Sequence, residues 1–217
     1  MLSKMREPVN ALTHLGGAVA AFFGEIALLI VAWDVPTKIV SAVIYGLSLI
    51  LLFGASGTYH MARVKPAAHE ILHRLDHSAI FVLIAGTYTP ICLLAFTGFW
   101  RWGMLAIIWS FAVAGILVKI FLPNMPRWLH TAPYVVMGWL GVLAAGQMFK
   151  DLSTFTLTWI LIGGVIYTLG AVIYATKKLD LFPGKFGFHE LWHVFVLLGA
   201  LAHFIAVMNL MMTAHVA

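Results

Sequence analysis

Seven long apolar segments, separated by short stretches with charges, prolines or glycines, dominate this sequence of 217 residues. An α-helix needs about 20 predominantly apolar residues to cross the hydrocarbon of a bilayer, and each segment is close to that length. The sequence therefore predicts an all-α integral membrane protein, a seven-transmembrane helix bundle that forms a single domain over residues 1–217. The predicted spans are residues 13–33, 39–61, 77–97, 102–122, 131–149, 156–175 and 188–212.

The composition favours a membrane protein over a soluble one. Hydrophobic residues make up 62% of the chain and charged residues 10%, whereas a soluble domain carries about 25% charged residues. The formal net charge of +5 does not indicate nucleic-acid binding, because cytoplasmic loops of membrane proteins are rich in Lys and Arg. The single cysteine, Cys92, excludes an intrachain disulfide. The first ten residues lack the pattern of a cleavable signal peptide, so we expect the first span to be retained.

The distribution of basic residues predicts the orientation of the chain. If the N-terminus is cytoplasmic, most Lys and Arg residues lie on the cytoplasmic side, as the positive-inside rule requires. We therefore predict a cytoplasmic N-terminus and an outer C-terminus. The inner group is Lys4, Arg6, Arg63, Lys65, Arg74, Lys119, Arg127, Lys177, Lys178 and Lys185, and the outer group is Lys38, Arg101 and Lys150.

Five residues that hydrocarbon disfavours lie near the ends of three spans. Ser56 and His60 lie at the end of the second span, Asp76 precedes the third, and His189 and His193 begin the seventh. A strongly polar side chain inside a membrane is costly and by default marks a functional site. The second span runs inward and the third and seventh start inside, so we expect all five side chains near the cytoplasmic surface.

These residue types predict a zinc site. His189 and His193 are four residues apart, which places both rings on one face of a helix. With His60 they supply three imidazoles, and three protein ligands with a fourth position open to water are typical of catalytic zinc. Asp76 would accept or orient a proton of the attacking water, and Ser56 would hydrogen-bond that water or a substrate carbonyl. The alternatives are helix packing through interhelical hydrogen bonds, or a different metal such as copper, iron or nickel.

Residues 189–193 also match the HExxH pattern of zinc proteases, in which Glu190 would be the general base. The extended pattern needs another histidine six residues after His193, where this sequence has Gly199. His203 lies farther along and on another part of the helix. We therefore favour a zinc chemistry other than proteolysis.

A second polar cluster lies at the start of the first span. Glu7, Asn10 and His14 are three and four residues apart, so they share one helical face. Either they support the metal ligands through hydrogen bonds, or they cap the helix at the interface. Glu25 lies in the middle of the first span. Two interpretations stay open: a protonated carboxyl that hydrogen-bonds to a neighbouring helix, or part of a polar path through the bundle.

The remaining histidines are predicted to be less informative. His69 and His73 lie in a basic stretch after the second span, which suggests a solvated cytoplasmic loop or contact with lipid headgroups. His77 follows Asp76 and is a candidate to support the metal site through that carboxylate. His130, His203 and His215 are expected at the interface or in helix packing.

Several short motifs follow one another along the chain. They are Glu7-Pro-Val-Asn10-Ala-Leu-Thr13-His14, Ser56-Gly-Thr-Tyr-His60, Leu75-Asp76-His77-Ser78, Gly86-Thr-Tyr-Thr-Pro90 and His189-Glu-Leu-Trp-His193. Over nearly the full chain this ordered set resembles the bacterial haemolysin III family. That family is grouped with the progestin and adipoQ receptors, which include the adiponectin receptors, and more distantly with the alkaline ceramidases.

The resemblance implies a seven-span bundle with a cytoplasmic N-terminus. It implies Zn²⁺ held by His60, His189 and His193, with Asp76 and Ser56 near the reacting water. For the receptor and ceramidase relatives it implies hydrolysis of a lipid amide. For bacterial members it implies a role in membrane-lipid and membrane-energy homeostasis, while the family name records haemolytic, pore-forming activity.

The leading hypothesis is a zinc-dependent intramembrane hydrolase of a lipid amide or ester in a bacterial cytoplasmic membrane. A membrane lipid is the expected substrate or ligand, and no nucleic-acid partner is indicated. Two other classes remain open: a sensor or regulator of membrane state with structural zinc, and a pore-forming haemolysin or channel. The polar groups concentrate at one membrane face, which counts against a pore within one chain. The lipid and the oligomeric state are not set by the sequence.

Overall fold

The computed structural model describes residues 5–122, 126–182 and 186–214, apart from the side chain of Arg127. Seven helices in these ranges are long and apolar enough to cross a membrane, which confirms the predicted all-α bundle of seven spans. The elements are α1 (Pro8–Ala32), α2 (Pro36–Met61), α3 (Pro66–Ala95), α4 (Gly98–Phe121), α5 (Arg127–Trp139), a 3₁₀ helix (Leu140–Ala144), α6 (Ala145–Asp151), α7 (Thr154–Thr176) and α8 (Phe188–Thr213). Lys4, Lys185 and His215 lie outside the described residues, and the orientation in the membrane stays a prediction.

Prolines begin the first three helices. Pro8, Pro36 and Pro66 each occupy the first turn of their helix. Proline suits that position because its fixed φ angle is helical and its missing N–H would have no intrahelical acceptor there. Two of these helices consequently start well before the apolar segments that predicted them, at Pro8 instead of residue 13 and at Pro66 instead of residue 77.

The early start of α3 corrects the predicted position of two histidines. His69 and His73 lie on α3, not in a loop, and the connection from α2 shortens to residues 62–65. The Arg74 Nε donates to the Glu70 Oε1 at 2.8 Å, one turn apart, within this polar first part of the helix. Hydropathy identifies the part of a helix that crosses the hydrocarbon and not the point where the helix ends. The polar part of a helix that continues into the aqueous phase is therefore not predicted.

The fifth span is broken, whereas the sequence predicted one continuous segment. α5 ends at Trp139, a five-residue 3₁₀ helix follows, and α6 completes the span. The Tyr88 hydroxyl of α3 donates to the Gly138 carbonyl at 2.8 Å and accepts from the Gly141 amide at 2.7 Å. Irregular backbone is tolerated in a membrane where other groups satisfy its polar atoms, and Tyr88 does so here.

Close helix packing brings several helix ends together. α2 lies between α1 and α3, while α8 contacts α1, α3 and α7. Small residues allow this approach: a Cβ at Gly57 of α2 would overlap Leu15 of α1, and one at Gly17 of α1 would overlap Leu197 of α8. The Glu7 amide donates to the His60 carbonyl at 3.0 Å, which joins the start of α1 to the end of α2.

Candidate metal centre and adjoining cavities

Three histidines from two helices meet at one end of the bundle. His60 lies in the last turn of α2, and His189 and His193 lie in the first two turns of α8. One ring nitrogen from each lies within 4.8 Å of the others. His60 and His193 are buried, while the His189 side chain is one-third exposed. The structure thus brings together the three residues that the sequence nominated as ligands.

A carboxylate from α1 holds one of these rings. The Glu7 Oε2 lies 2.7 Å from the His60 Nδ1 and 3.8 Å from the His189 Nδ1. The hydrogen bond from His60 lowers the pKa of Glu7 to about 2, although burial of the carboxyl opposes this shift. A carboxylate that accepts the Nδ1 proton leaves Nε2 as the nitrogen with a lone pair, which fixes the tautomer that binds a metal.

Asn10 extends this support to α8. Its Nδ2 donates to the Glu7 Oε2 at 3.0 Å and to the Glu190 Oε1 at 3.2 Å. The other Glu190 oxygen accepts from the Gly187 amide at 2.9 Å and caps α8. The sequence left two roles open for Glu7, support of the metal ligands or capping of α1. The geometry favours the first, because Glu7 contacts the histidines. The Glu190 carboxylate is engaged in helix capping instead of facing the histidine cluster as a protease base would.

The donor set and its unpaired atoms fit a zinc ion. Zinc with nitrogens at about 2.0–2.1 Å takes a tetrahedral shell of His ligands, which requires three lone pairs close to one point. Among the described residues, the buried His193 Nδ1 and both buried His14 nitrogens lack a hydrogen-bond partner. The His14 ring lies 3.9 Å from the His193 ring, centroid to centroid. An ion or a water would satisfy such nitrogens, which are otherwise costly to bury.

A small polar cavity lies beside the histidines. Its lining includes Ser56, Asp76, His189 and His193, and its volume is about 40 Å³. That volume admits a few waters, since one needs roughly 10–15 Å³. The His77 Nδ1 lies 3.4 Å from the Asp76 Oδ2, so this neighbour contacts the carboxylate as the sequence suggested. Both residues proposed for the chemistry therefore face the same space as two of the predicted ligands.

A larger apolar cavity of about 210 Å³ adjoins the polar one. The two share five lining residues, which are Leu52, Ile80, Tyr134, Trp192 and Val196. The larger cavity extends between α3, the broken fifth span, α7 and α8. An apolar space that opens beside polar groups is a typical site for an amphipathic small molecule.

Other predicted residues lie elsewhere. His203 lines the apolar cavity and does not join the histidine cluster. Glu25 lies on the α1–α2 interface, where its carboxylate occupies the space that a Cβ at Gly46 would need. The rings of His73 and His77 on α3 contact each other at a tilt, with centroids 4.1 Å apart.

Sequence reasoning missed one polar contact near the site. The buried Lys119 of α4 donates from Nζ to the His130 carbonyl at 3.1 Å, and its Nζ lies 2.6 Å from the His130 Nδ1. Lys119 was assigned to the cytoplasmic surface by the positive-inside count. The signal that could have found it is its position one turn inside the apolar segment, where a lysine needs a partner.

Comparison with known proteins identifies the family. A family model described as haemolysin-III related matches residues 2–204. The chain is 36% identical to Hemolysin-3 of Bacillus cereus over 93% of its length and 90% of that protein's. It is 37% identical to the Hemolysin-3 homolog of Bacillus subtilis, covering 96% and 95%. It is also 25% identical to the adiponectin receptor protein of Drosophila melanogaster, over 91% of this chain and 49% of the receptor. The chain therefore belongs to the haemolysin III family of integral membrane proteins, of the progestin and adipoQ receptor type.

Proposed function

We propose that the protein is a zinc-dependent intramembrane hydrolase of a lipid amide or ester. The observation that carries this proposal is the continuity of the site. Two of the three clustered histidines, His189 and His193, line a polar cavity with Ser56 and Asp76, and that cavity adjoins a large apolar one. A polar reaction centre beside an apolar space suits a substrate with a polar linkage and a hydrocarbon chain.

Each part of the site has a chemical role in this proposal. Zinc held by His60, His189 and His193 would polarise the carbonyl and supply hydroxide near neutral pH. The Asp76 carboxylate accepts the proton of the attacking water and returns it to the leaving group. The Ser56 hydroxyl orients the water or the carbonyl, and Glu7 holds the His60 ring. The apolar cavity binds the acyl chain and excludes bulk water.

The proposal extends to the cellular setting. The basic residues favour the N-in orientation, and in a bacterial cytoplasmic membrane the site would then lie at the inner leaflet. A membrane lipid in that leaflet would then be the substrate, and its turnover would alter membrane composition. The observation that supports this depth is the position of all three histidines at one end of the helices.

The first experiment measures zinc in the detergent-purified protein by elemental analysis. We expect about one zinc ion per chain, lost in the folded variants His60→Ala and His189→Ala, because each contributes one of three nitrogens. The matched control is His69→Ala, which removes a histidine of α3 that is not in the cluster. Absence of metal in freshly purified wild-type protein, with no effect of a chelator on stability, would contradict the proposal.

The second experiment separates hydrolysis from the two rival functions. Zinc-loaded protein is incubated with N-acyl and O-acyl lipids, and the released fatty acid is measured by mass spectrometry. A membrane-state regulator with structural zinc would bind zinc but cleave none of these lipids. Its Asp76→Ala variant would still correct the phenotype of cells that lack the protein. Leakage of dye from liposomes that contain only the protein would instead support the pore-forming alternative.

A further inference from the structure

A histidine whose ring has one unpaired nitrogen lines the apolar cavity, far from the candidate metal centre. The His203 Nε2 lies 3.1 Å from the Ile160 carbonyl oxygen of α7. A carbonyl only accepts, so Nε2 carries the proton, and the neutral ring then has its lone pair on Nδ1. In the part of the chain that the structure describes, Nδ1 has no hydrogen-bond partner and is not among the fully buried unpaired atoms. His203 lines the apolar cavity, so the cavity is the space from which a ligand would reach its ring.

Packing fixes the ring in this position. A Cβ at Gly163 would overlap the Cδ2–Nε2 edge of the His203 ring, so the glycine makes the room that this edge occupies on α7. The Tyr167 ring packs beside it with centroids 5.4 Å apart. With one edge held against α7, the opposite edge with Nδ1 is the one that remains for a ligand.

Several other polar groups of the cavity wall are satisfied internally. The hydroxyls of Thr87, Tyr88 and Thr168 donate to the carbonyls of Leu83, Gly138 and Gly164. An acceptor left without a donor in an apolar space is costly, whereas helix packing through His203 requires only Nε2. The unpaired Nδ1 is therefore not explained by the contact between α7 and α8.

We propose that His203 binds a hydroxyl group carried midway along the hydrocarbon chain of the lipid ligand. This inference rests on the proposed function, because it places the polar end of the ligand at the candidate metal centre. His203 follows His193 by ten residues, which at about 1.5 Å per residue is about 15 Å along α8. An extended chain with bonds of about 1.5 Å advances about 1.25 Å per carbon, so the hydroxyl falls near carbon 12.

The test compares three free fatty acids of equal length in binding to the purified protein in nanodiscs. The probes are octadecanoic acid, 12-hydroxyoctadecanoic acid and 3-hydroxyoctadecanoic acid, each displacing a fluorescent fatty acid. We expect the 12-hydroxy acid to bind roughly three- to tenfold more tightly than the other two, the gain of one hydrogen bond in a dry site. Equal affinity of the three acids for wild-type protein would overturn the inference, whatever the variants do.

Two variants then assign the preference to the ring. His203→Phe fills the same space without an acceptor, and we expect it to abolish the preference for the 12-hydroxy acid over octadecanoic acid. If His203→Phe does not fold, His203→Leu also lacks an acceptor, and we expect it to abolish the preference for the 12-hydroxy acid. A 12-hydroxy preference that survives in the folded variants would overturn the assignment to His203.

The binding assay also distinguishes this inference from the hydrolase itself. A 12-hydroxy preference in a protein without turnover would leave the inference standing and remove the proposed activity. Hydrolysis of unsubstituted lipids without any hydroxyl preference would keep the activity and overturn the inference. Failure of all three acids to displace the probe would contradict the apolar cavity as a chain-binding site and the inference with it.

Discussion

Removal of the Glu7 carboxylate should weaken metal binding although Glu7 is not itself a proposed ligand. Its Oε2 accepts the His60 Nδ1 proton at 2.7 Å and lies 3.8 Å from the His189 Nδ1. Without this acceptor, the His60 ring can adopt the other tautomer or rotate, and its Nε2 lone pair is no longer directed to the ion. Carboxylates in this position typically contribute 10- to 100-fold to metal affinity.

The expected magnitude for Glu7→Ala is therefore a zinc dissociation constant about 10- to 100-fold larger, or about 1.4–2.7 kcal/mol. Glu7→Gln should have a smaller effect, because the amide oxygen can still accept the His60 proton but carries no charge. The assay is competition for zinc between the purified protein and a chelating dye of known affinity. Both variants should elute as folded protein in size-exclusion chromatography before the comparison is made.

The matched control is Glu70→Ala. Glu70 pairs with Arg74 on an exposed part of α3, and in the described part of the chain it has no hydrogen bond or ion pair with the histidine cluster. A loss of zinc affinity in Glu70→Ala equal to that in Glu7→Ala would indicate a general electrostatic effect. If Glu7→Ala binds zinc as tightly as the wild type, the reasoning that Glu7 orients His60 toward a metal is refuted.

Two further predictions concern the proposed chemistry and the packing of α2. Asp76→Asn should retain zinc in elemental analysis but lower lipid hydrolysis by about 10²–10⁴-fold, because it removes the general base; unchanged hydrolysis would exclude that role. Gly46→Ala should destabilise the protein by about 1–3 kcal/mol in thermal unfolding, because the new Cβ overlaps the Glu25 carboxylate. The control is Gly54→Ala on the same helix, where a Cβ meets no atom within 4 Å and a gain of up to about 1 kcal/mol is expected. Equal shifts in the two glycine variants would contradict the packing argument.

The histidine cluster could be predicted because it depends on two simple regularities. The four-residue separation of His189 and His193 fixes their common face once the segment is helical. The alternation of spans then brings the end of α2 and the start of α8 to the same side, whichever way the bundle is oriented. Both steps follow from spacing and span count, so errors of several residues in the span limits did not affect them.

The broken fifth span could not be predicted in the same way. Its residues are apolar enough to span a membrane, and hydropathy does not distinguish a regular helix from one with a 3₁₀ break. The contact that satisfies the break comes from Tyr88, about 50 residues earlier in the chain. Long-range side-chain contacts of this kind depend on the packing of α3 against α5, which span prediction does not address.

The acidic residue of the HExxH match shows why a local motif does not assign a role. The spacing of Glu190 from His189 and His193 is the same in every HExxH helix, so only the contacts of its carboxylate can decide its role. It caps α8 through Gly187 and contacts Asn10, and the carboxylate that holds a cluster histidine comes from Glu7 on α1. The Asn10 side chain donates to both Glu7 and Glu190. It therefore connects the carboxylate that holds His60 to the start of α8, the helix that carries His189 and His193. The motif that contains Glu7 and Asn10 is thus part of the candidate metal centre. The spacing of these two residues places them on one helical face, but it does not predict which histidine or which carboxylate they contact.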